Sequence, residues 1–300
     1  MTAAGQLRRR LSTGQILAAP GVYDALGVRL VERAGFEAAF VSGAATSASL
    51  LGLPDLGLMT VGESLDQTRR IVGATSLPVI ADCDTGYGNP LNARRTIRDF
   101  EAAGVAGLFI EDQTWPKRCG HFAGKELVSA ADMVQKVRAA VEARRDDDLV
   151  IIARTDAIAV DGLDAAIERA QAYAAAGADL IFLEAPESSE QVRQAVANIP
   201  VPLMLNLVEG GRTPLFTVAE LGELGVGLVT FSGTIQKAAI SAMEQLLAQL
   251  VSSGDLASMY PGHIVSLEER SAILRMPELM ELQARYASED PALLGEADGT

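Results

Sequence analysis

Between Glu111 and His121 the chain carries two carboxylates, the cations Lys117 and Arg118, the thiol of Cys119 and the imidazole of His121. The chain has two cysteines and two histidines in all, so half of each falls within these residues. Charged side chains are excluded from cores unless paired, so the run is either a solvated loop or a site. A surface loop accounts for most runs of Lys, Arg and Asp. A thiol beside Gly, with Lys, Arg and His around it, instead sits in surroundings that lower a thiol pKa. A second acidic set lies upstream. Asp82 and Asp84 are spaced so that, on a strand, both side chains point to one side. With Glu111 they form a set of hard oxygen ligands that repel one another unless a cation neutralises them, and Mg²⁺ takes oxygen ligands while keeping several waters. The plainer alternative is that one or two of these carboxylates pair with Arg154 or Lys117. No cluster of His and Cys suggests zinc.

Positioning these groups requires a scaffold, and the chain repeats one. Gly35, Gly104, Gly177 and Gly225 each close a helical segment, and a polar residue follows seven positions later: Ser42, Glu111, Glu184 and Ser232. Glycine there fits a helix C-terminal cap, and seven residues suit a turn plus one strand. Four further apolar runs lie between these segments: Ile16 to Ala19, Val79 to Asp84, Val150 to Asp156 and Leu203 to Asn206. Asn89-Pro90 reads as N-cap and first helical residue, with Ala93, Ile97 and Phe100 on one face. Gly162 to Ala176 reads as a second, alanine-rich helix. Eight strands alternating with helices predict a (β/α)8 TIM barrel, and barrel sites sit at the C-terminal ends of the strands. Those ends are Ser42-Gly43, Asp82 and Asp84, Glu111, Arg154 and Asp156, Glu184, Asn206 and Ser232. A doubly wound open sheet needs no eight units in so even an order.

The chain's 300 residues exceed the roughly 250 that a barrel commonly needs. The surplus is a C-terminal helical extension over about 237–300: Lys237 to Leu250, a helix or pair over 266–286, and an acidic tail over 287–300. The whole is predicted as one domain. A hydrophobic share of 49% and a mean hydropathy of +0.20 argue against disorder. A net charge of −14 argues against nucleic acid as a partner. No apolar run reaches the roughly 18 residues of a membrane span. Arg8-Arg9-Arg10 is followed by no apolar stretch of a secretory signal. Cys83 and Cys119 match no pairing or metal spacing, and free thiols suit a reducing cytoplasm.

The chain resembles the isocitrate lyase and phosphoenolpyruvate mutase superfamily over nearly its whole length. The likeness is carried by Ser42-Gly43, Leu51-Gly52-Leu53-Pro54-Asp55, Asp82-Cys83-Asp84-Thr85-Gly86-Tyr87-Gly88, Glu111-Asp112-Gln113 and Lys117-Arg118-Cys119-Gly120-His121. Ala153-Arg154-Thr155-Asp156, Glu184-Ala185, Asn206 and Thr213-Pro214-Leu215 complete it. The Lys-Arg-Cys-Gly-His run resembles the lyase branch; phosphonate-forming mutases have Asn-Ser where this chain has Cys119-Gly120. Within the lyases it looks most like 2-methylisocitrate lyase, 2,3-dimethylmalate lyase and the plant petal-death type that cleaves alkylmalates and oxaloacetate. It departs from methylisocitrate lyases at Ala44-Ala45, where they have two glycines, at Phe122, where they have Arg, at Phe40, where they have Tyr, and at Ser232, where they have Pro. A serine at that last position resembles oxaloacetate-cleaving members.

The resemblance implies a Mg²⁺ (or Mn²⁺) dependent lyase that cleaves a 2-hydroxy di- or tricarboxylate to a 2-oxo acid and a carboxylate. Asp82, Asp84 and Glu111 would hold the metal. Cys119 would protonate the enolate, with Lys117 and His121 setting its pKa, and Arg154 would stabilise developing charge. Ser42, Gly43 and Asn206 would hold substrate carboxylates, with Ala44, Asp55, Gly120, Glu184 and Ser232 also at the substrate. The base stays open between Tyr87 and a metal-bound water. An oxaloacetate hydrolase or decarboxylase on the same scaffold and a non-catalytic barrel are the alternatives. The resemblance further implies a homodimer or homotetramer that exchanges its last barrel helix, and the loop after Glu111 is expected to act as a lid.

Overall fold

A computed structural model describes residues 1–118, 120, 124–260 and 262–287. Eight parallel strands close into a barrel in chain order: β1 (Leu17–Val22), β2 (Ala39–Val41), β3 (Val79–Asp82), β4 (Gly107–Glu111), β5 (Val150–Thr155), β6 (Leu180–Leu183), β7 (Leu203–Asn206) and β8 (Leu228–Phe231). β8 pairs with β1 to complete the ring. The (β/α)8 barrel predicted from the repeat is therefore present. All four repeat glycines have positive φ, between +87° and +104°, the left-handed geometry that ends a helix.

Side chains alternate along each strand and make two apolar layers. Phe40, Ile80, Phe109, Ile152, Phe182 and Met204 fill the barrel interior. Ala81, Leu108, Ile110, Ile151, Ile181 and Leu205 point outward against the helices, whose contribution includes Ile97, Phe100, Met133 and Val137. Pro90–Ala102 is capped by Asn89, which accepts from the N–H groups of Leu91 and Asn92, and it buries Ala93, Ile97 and Phe100 as its periodicity predicts.

The chain forms two compact units, Met1–Ile240 and Ser241–Thr300. The first holds the barrel. The helix expected over Lys237 to Leu250 runs Thr234–Ser253, and the segment over 266–286 is a pair of helices, Leu267–Ile273 and Met276–Ala287. The acidic tail lies, but for its first residue, outside the described residues. No described helix is long and apolar enough to cross a membrane.

Candidate active site

The same alternation that fills the barrel builds the site. Two residues beyond Phe40, Ile80, Phe109, Ile152, Phe182 and Met204, on the same inward side, stand Ser42, Asp82, Glu111, Arg154, Glu184 and Asn206. They meet at the C-terminal mouth, around a cavity of about 320 Å³. Of the residues expected at the site, Ser42, Ala44, Asp55, Asp82, Lys117, Gly120, Arg154, Glu184, Asn206 and Ser232 line that cavity. Gly43, Asp84 and Glu111 flank it through Asp82, Lys117 and Arg154. Cys119 and His121 lie outside the described residues, as does Phe122.

The floor is aromatic. Phe40 stacks on Phe109 with centroids 5.8 Å apart, and Phe182 meets Phe109 edge-on at 5.3 Å. The Arg154 guanidinium lies over the Phe182 ring at 4.9 Å, a cation on an aromatic face. Arg154 is also held by Asp156 through Nε (2.9 Å) and Nη2 (3.0 Å), with Glu184 at 3.3 Å and Glu111 at 3.4 Å. The fork leaves Arg154 little rotational freedom.

The acidic set differs from its sequence expectation in one respect. β3 ends at Asp82, so Asp84 is not the next inward position of a strand. The backbone turns instead, with Asp84 at φ +46°, and the Asp84 N–H donates to Asp82 Oδ1 at 2.9 Å. A turn closed by the first carboxylate, rather than strand alternation, brings the two acids together. Such a φ is costly for a residue with a side chain and recurs where a backbone is held for function. Cys83, between them, faces outward into the apolar layer and is fully buried. Burial, with Asp82 and Asp84 nearby, pushes its thiol well above the ordinary range.

Gly43 is fitted to Asp82. Its N–H donates to Asp82 Oδ2 at 3.1 Å, and a Cβ on Gly43 would come 2.5 Å from that oxygen. Ser42 caps the helix Gly43–Leu51, its hydroxyl oxygen accepting from the Ala45 N–H at 3.2 Å. The Gly43 N–H and the Ser42 hydroxyl oxygen, expected at substrate carboxylates, are thus engaged with protein groups, and the helix N-terminus supports Asp82.

The plainer reading of the acids is realised: Lys117 Nζ stands between Asp55 (2.6 Å) and Asp84 (2.7 Å), and Arg154 Nε is 3.4 Å from Glu111. Lys117 is itself buried, and although burial opposes its charge, Asp84, Glu111 and Asp55 raise its pKa well above normal. Among the described residues, Lys117 pairs with Asp55 and Asp84, Lys125 with Asp156, and Arg154 with Asp156, Glu111 and Glu184, so that three cations meet five carboxylates, with Asp82 a sixth beside Asp84. Burial and the Asp84 charge push Asp82 up to about 7. Burial raises Glu111 well above its usual range despite Arg154 and Lys117, and among the described residues Glu111 Oε1 is buried without a hydrogen-bond partner. The site therefore has an excess of buried negative charge. Among the described residues no three His, Cys, Asp or Glu side chains converge as a ready cage. A divalent cation that binds one or two carboxylates and keeps its waters fits this arrangement.

Three features were not read from the sequence. The aromatic floor was missed because apolar strand residues look alike whichever way they face. Lys125 and Asp156 form a buried pair at 2.8 Å beside Arg154. Asp112 proves to be separate from the site. It follows Glu111 and so faces outward, accepting from Thr155 Oγ1 and Tyr173 OH at 2.8 Å and the Asp156 N–H at 3.0 Å, with Arg169 at 3.3 Å. Tyr87, weighed as a base, is not among the cavity-lining residues, and burial with the Asp84 charge raises its hydroxyl well above 10.

A family model described as phosphoenolpyruvate phosphomutase matches residues 7–251. The chain belongs to the phosphoenolpyruvate mutase/isocitrate lyase superfamily. Within that superfamily it is 41% identical to 2,3-dimethylmalate lyase of Eubacterium barkeri, over 96% of this chain and 99% of that protein. Other relatives are named 2-methylisocitrate lyase. A structure of oxaloacetate acetylhydrolase in complex with the inhibitor 3,3-difluorooxalacetate superposes with a TM-score of 0.91 and 37% identity, over 96% of this chain and 98% of that one. Phosphonopyruvate hydrolase in complex with oxalate and Mg²⁺ superposes with a TM-score of 0.86 and 33% identity, over 95% and 99%. The chain is an enzyme, a carbon–carbon lyase of this superfamily.

Proposed function

We propose that the protein is a Mg²⁺-dependent lyase of small 2-hydroxy dicarboxylates of the 2-alkylmalate type, with 2-methylisocitrate-type tricarboxylates in the same class. The observation that carries this is the mouth itself: a buried arginine on an aromatic floor, facing an excess of carboxylates that calls for a cation. Asp84 would be the principal protein ligand, with Asp82 and Glu111 acting largely through water. The metal, when bound, would polarise the substrate's 2-hydroxyl and carboxylate.

The remaining steps belong to the chain. The C2–C3 bond breaks, its electron pair passes to C3 and gives a carboxylate enolate, and C2 becomes the carbonyl of a 2-oxo acid. Arg154, fixed by Asp156, stabilises the charge that develops. Cys119 delivers its thiol proton to C3, with Lys117 and His121 tuning it. Ser42, Gly43 and Asn206 shape the carboxylate subsites, and Ala44, Asp55, Gly120 and Glu184 also lie at the substrate. The hydroxyl proton leaves to water in the cavity, because the Tyr87 hydroxyl is buried and Tyr87 is not among the cavity-lining residues. A panel of alkylmalates, 2-methylisocitrate and oxaloacetate assayed with Mg²⁺ tests the reading. Turnover should vanish with excess chelator and return with Mg²⁺ or Mn²⁺; full activity in chelator would sink it.

Ser232 favours a second reading, cleavage of oxaloacetate. It lines the cavity and its N–H donates to Asn206 Oδ1 at 3.3 Å. Hydrated oxaloacetate is a gem-diol that can take the place of a 2-hydroxy acid, and a hydroxyl nearby could hold the second oxygen. Ser232→Pro should depress oxaloacetate cleavage more than alkylmalate cleavage. An unchanged ratio of the two rates removes the serine from this role.

A further inference from the structure

Lys125 lies outside every motif that carries the lyase reading, yet it is among the most buried cations of the molecule, its side chain 1% exposed. An ammonium so placed must have fixed partners. It has two. Its Nζ donates to Asp156 Oδ1 at 2.8 Å and to the carbonyl oxygen of Gly120. Asp156 Oδ1 also accepts from Arg154 Nη2, so a single carboxylate oxygen is shared by two cations. Gly120 closes the circuit, because a Cβ there would collide with Arg154 Nη2 and stand 2.7 Å from the Glu184 carboxyl carbon. Lys125, Asp156, Arg154 and Gly120 thus form one packed ring at the cavity wall, with no contact from Lys125 to Asp82, Asp84 or Glu111 among the described residues.

We infer that Lys125 is a positioning residue for anion recognition: it divides the charge of Asp156 so that Arg154 still presents cationic N–H groups to the cavity, and it holds the Gly120 carbonyl at the wall. Without it, Asp156 would be balanced by Arg154 alone, and the Gly120 carbonyl would lose its buried donor. The inference rests on the lyase reading only in taking a small dicarboxylate as the cavity's ligand.

Oxalate, a dianion the size of a 2-oxo acid's head, serves as the probe. Calorimetric titration of oxalate into the Mg²⁺-loaded full chain compares the parent with Lys125→Met and Lys125→Arg. Lys125→Met should weaken oxalate by about tenfold or more, the scale of losing a charge-assisted hydrogen bond, while Mg²⁺ affinity measured without oxalate stays as in the parent. Lys125→Arg should restore most of the oxalate affinity. If Lys125→Met does not fold, Lys125→Gln, which also removes the charge, takes its place with the same expectation. Oxalate affinity unchanged in the neutral variant, or Lys125→Arg as impaired as that variant, overturns the assignment. Failure of the parent to cleave any alkylmalate would instead count against the lyase reading and leave the titration to be read by itself. A parent that binds no oxalate overturns the positioning role of Lys125, while the lyase reading stands or falls on the substrate panel.

Discussion

At the scale of single residues, the two cysteines separate chemistry from packing. Cys83, the residue after β3, is turned into the outer apolar layer and is not among the residues that line the cavity. Cys119 is the proposed proton donor, and a positioned acid contributes roughly 10²–10⁴-fold. Cys119→Ser should therefore lower alkylmalate cleavage by about 10²–10⁴-fold while substrate still binds. Cys83→Ser should cost far less, so kcat and KM measured on both variants decide the roles. Equal losses in the two would remove Cys119 from the mechanism. Residue identity was the part of the site most open to reading before any coordinates, because a carboxylate, a guanidinium or an amide at a strand end has few structural uses. The partner each residue takes was not. That Lys117 stands between Asp55 and Asp84, or that Gly43 gives its N–H to Asp82, depends on separations of 62, 33 and 39 positions along the chain that no local pattern records.

At the scale of elements, the recurring glycine before each of four strands was the legible feature, because a left-handed helix end imposes a residue type. Gly104 tests its weight. Its φ is +90°, and a Cβ there would approach Val72 Cγ1 at 3.2 Å. Gly104→Ala should destabilise the barrel by about 1–2 kcal/mol, the cost of left-handed backbone for a residue with a side chain. Urea unfolding would measure it, and a loss under a few tenths would show that the helix end relaxes. The turn after β3 was the illegible counterpart. Asp82 and Asp84 sit two apart and invite a strand reading, but Asp82 closes a turn on the Asp84 N–H, and that local hydrogen bond competes with sheet pairing. The aromatic floor was hidden for a related reason. Phe40, Phe109 and Phe182 announce a strand equally well whether they face the helices or the barrel axis.

At the scale of the whole molecule, the second unit leaves apolar side chains in the open. Met243, Leu247, Val251, Met276, Leu279, Met280 and Tyr286 are each more than 45% exposed. Large apolar surface of this kind marks interaction sites. We propose that a second copy of this chain covers them, in a dimer or tetramer. Light scattering across micromolar concentrations should give a mass of two or four times 31.5 kDa. A monomer throughout that range would refute the assembly.

The burial of Cys83 has a practical corollary for anyone working with this enzyme in solution. A thiolate is what alkylating reagents attack, and Cys83 is both shut away from solvent and disfavoured as a thiolate. With two cysteines in the chain, the folded protein should take up at most one equivalent of iodoacetamide, at Cys119, and a second only when it unfolds. A fluorophore or spin label could then be attached at a single place without engineering. The step from one to two modified thiols, followed by mass spectrometry, would report global opening of the barrel molecule by molecule.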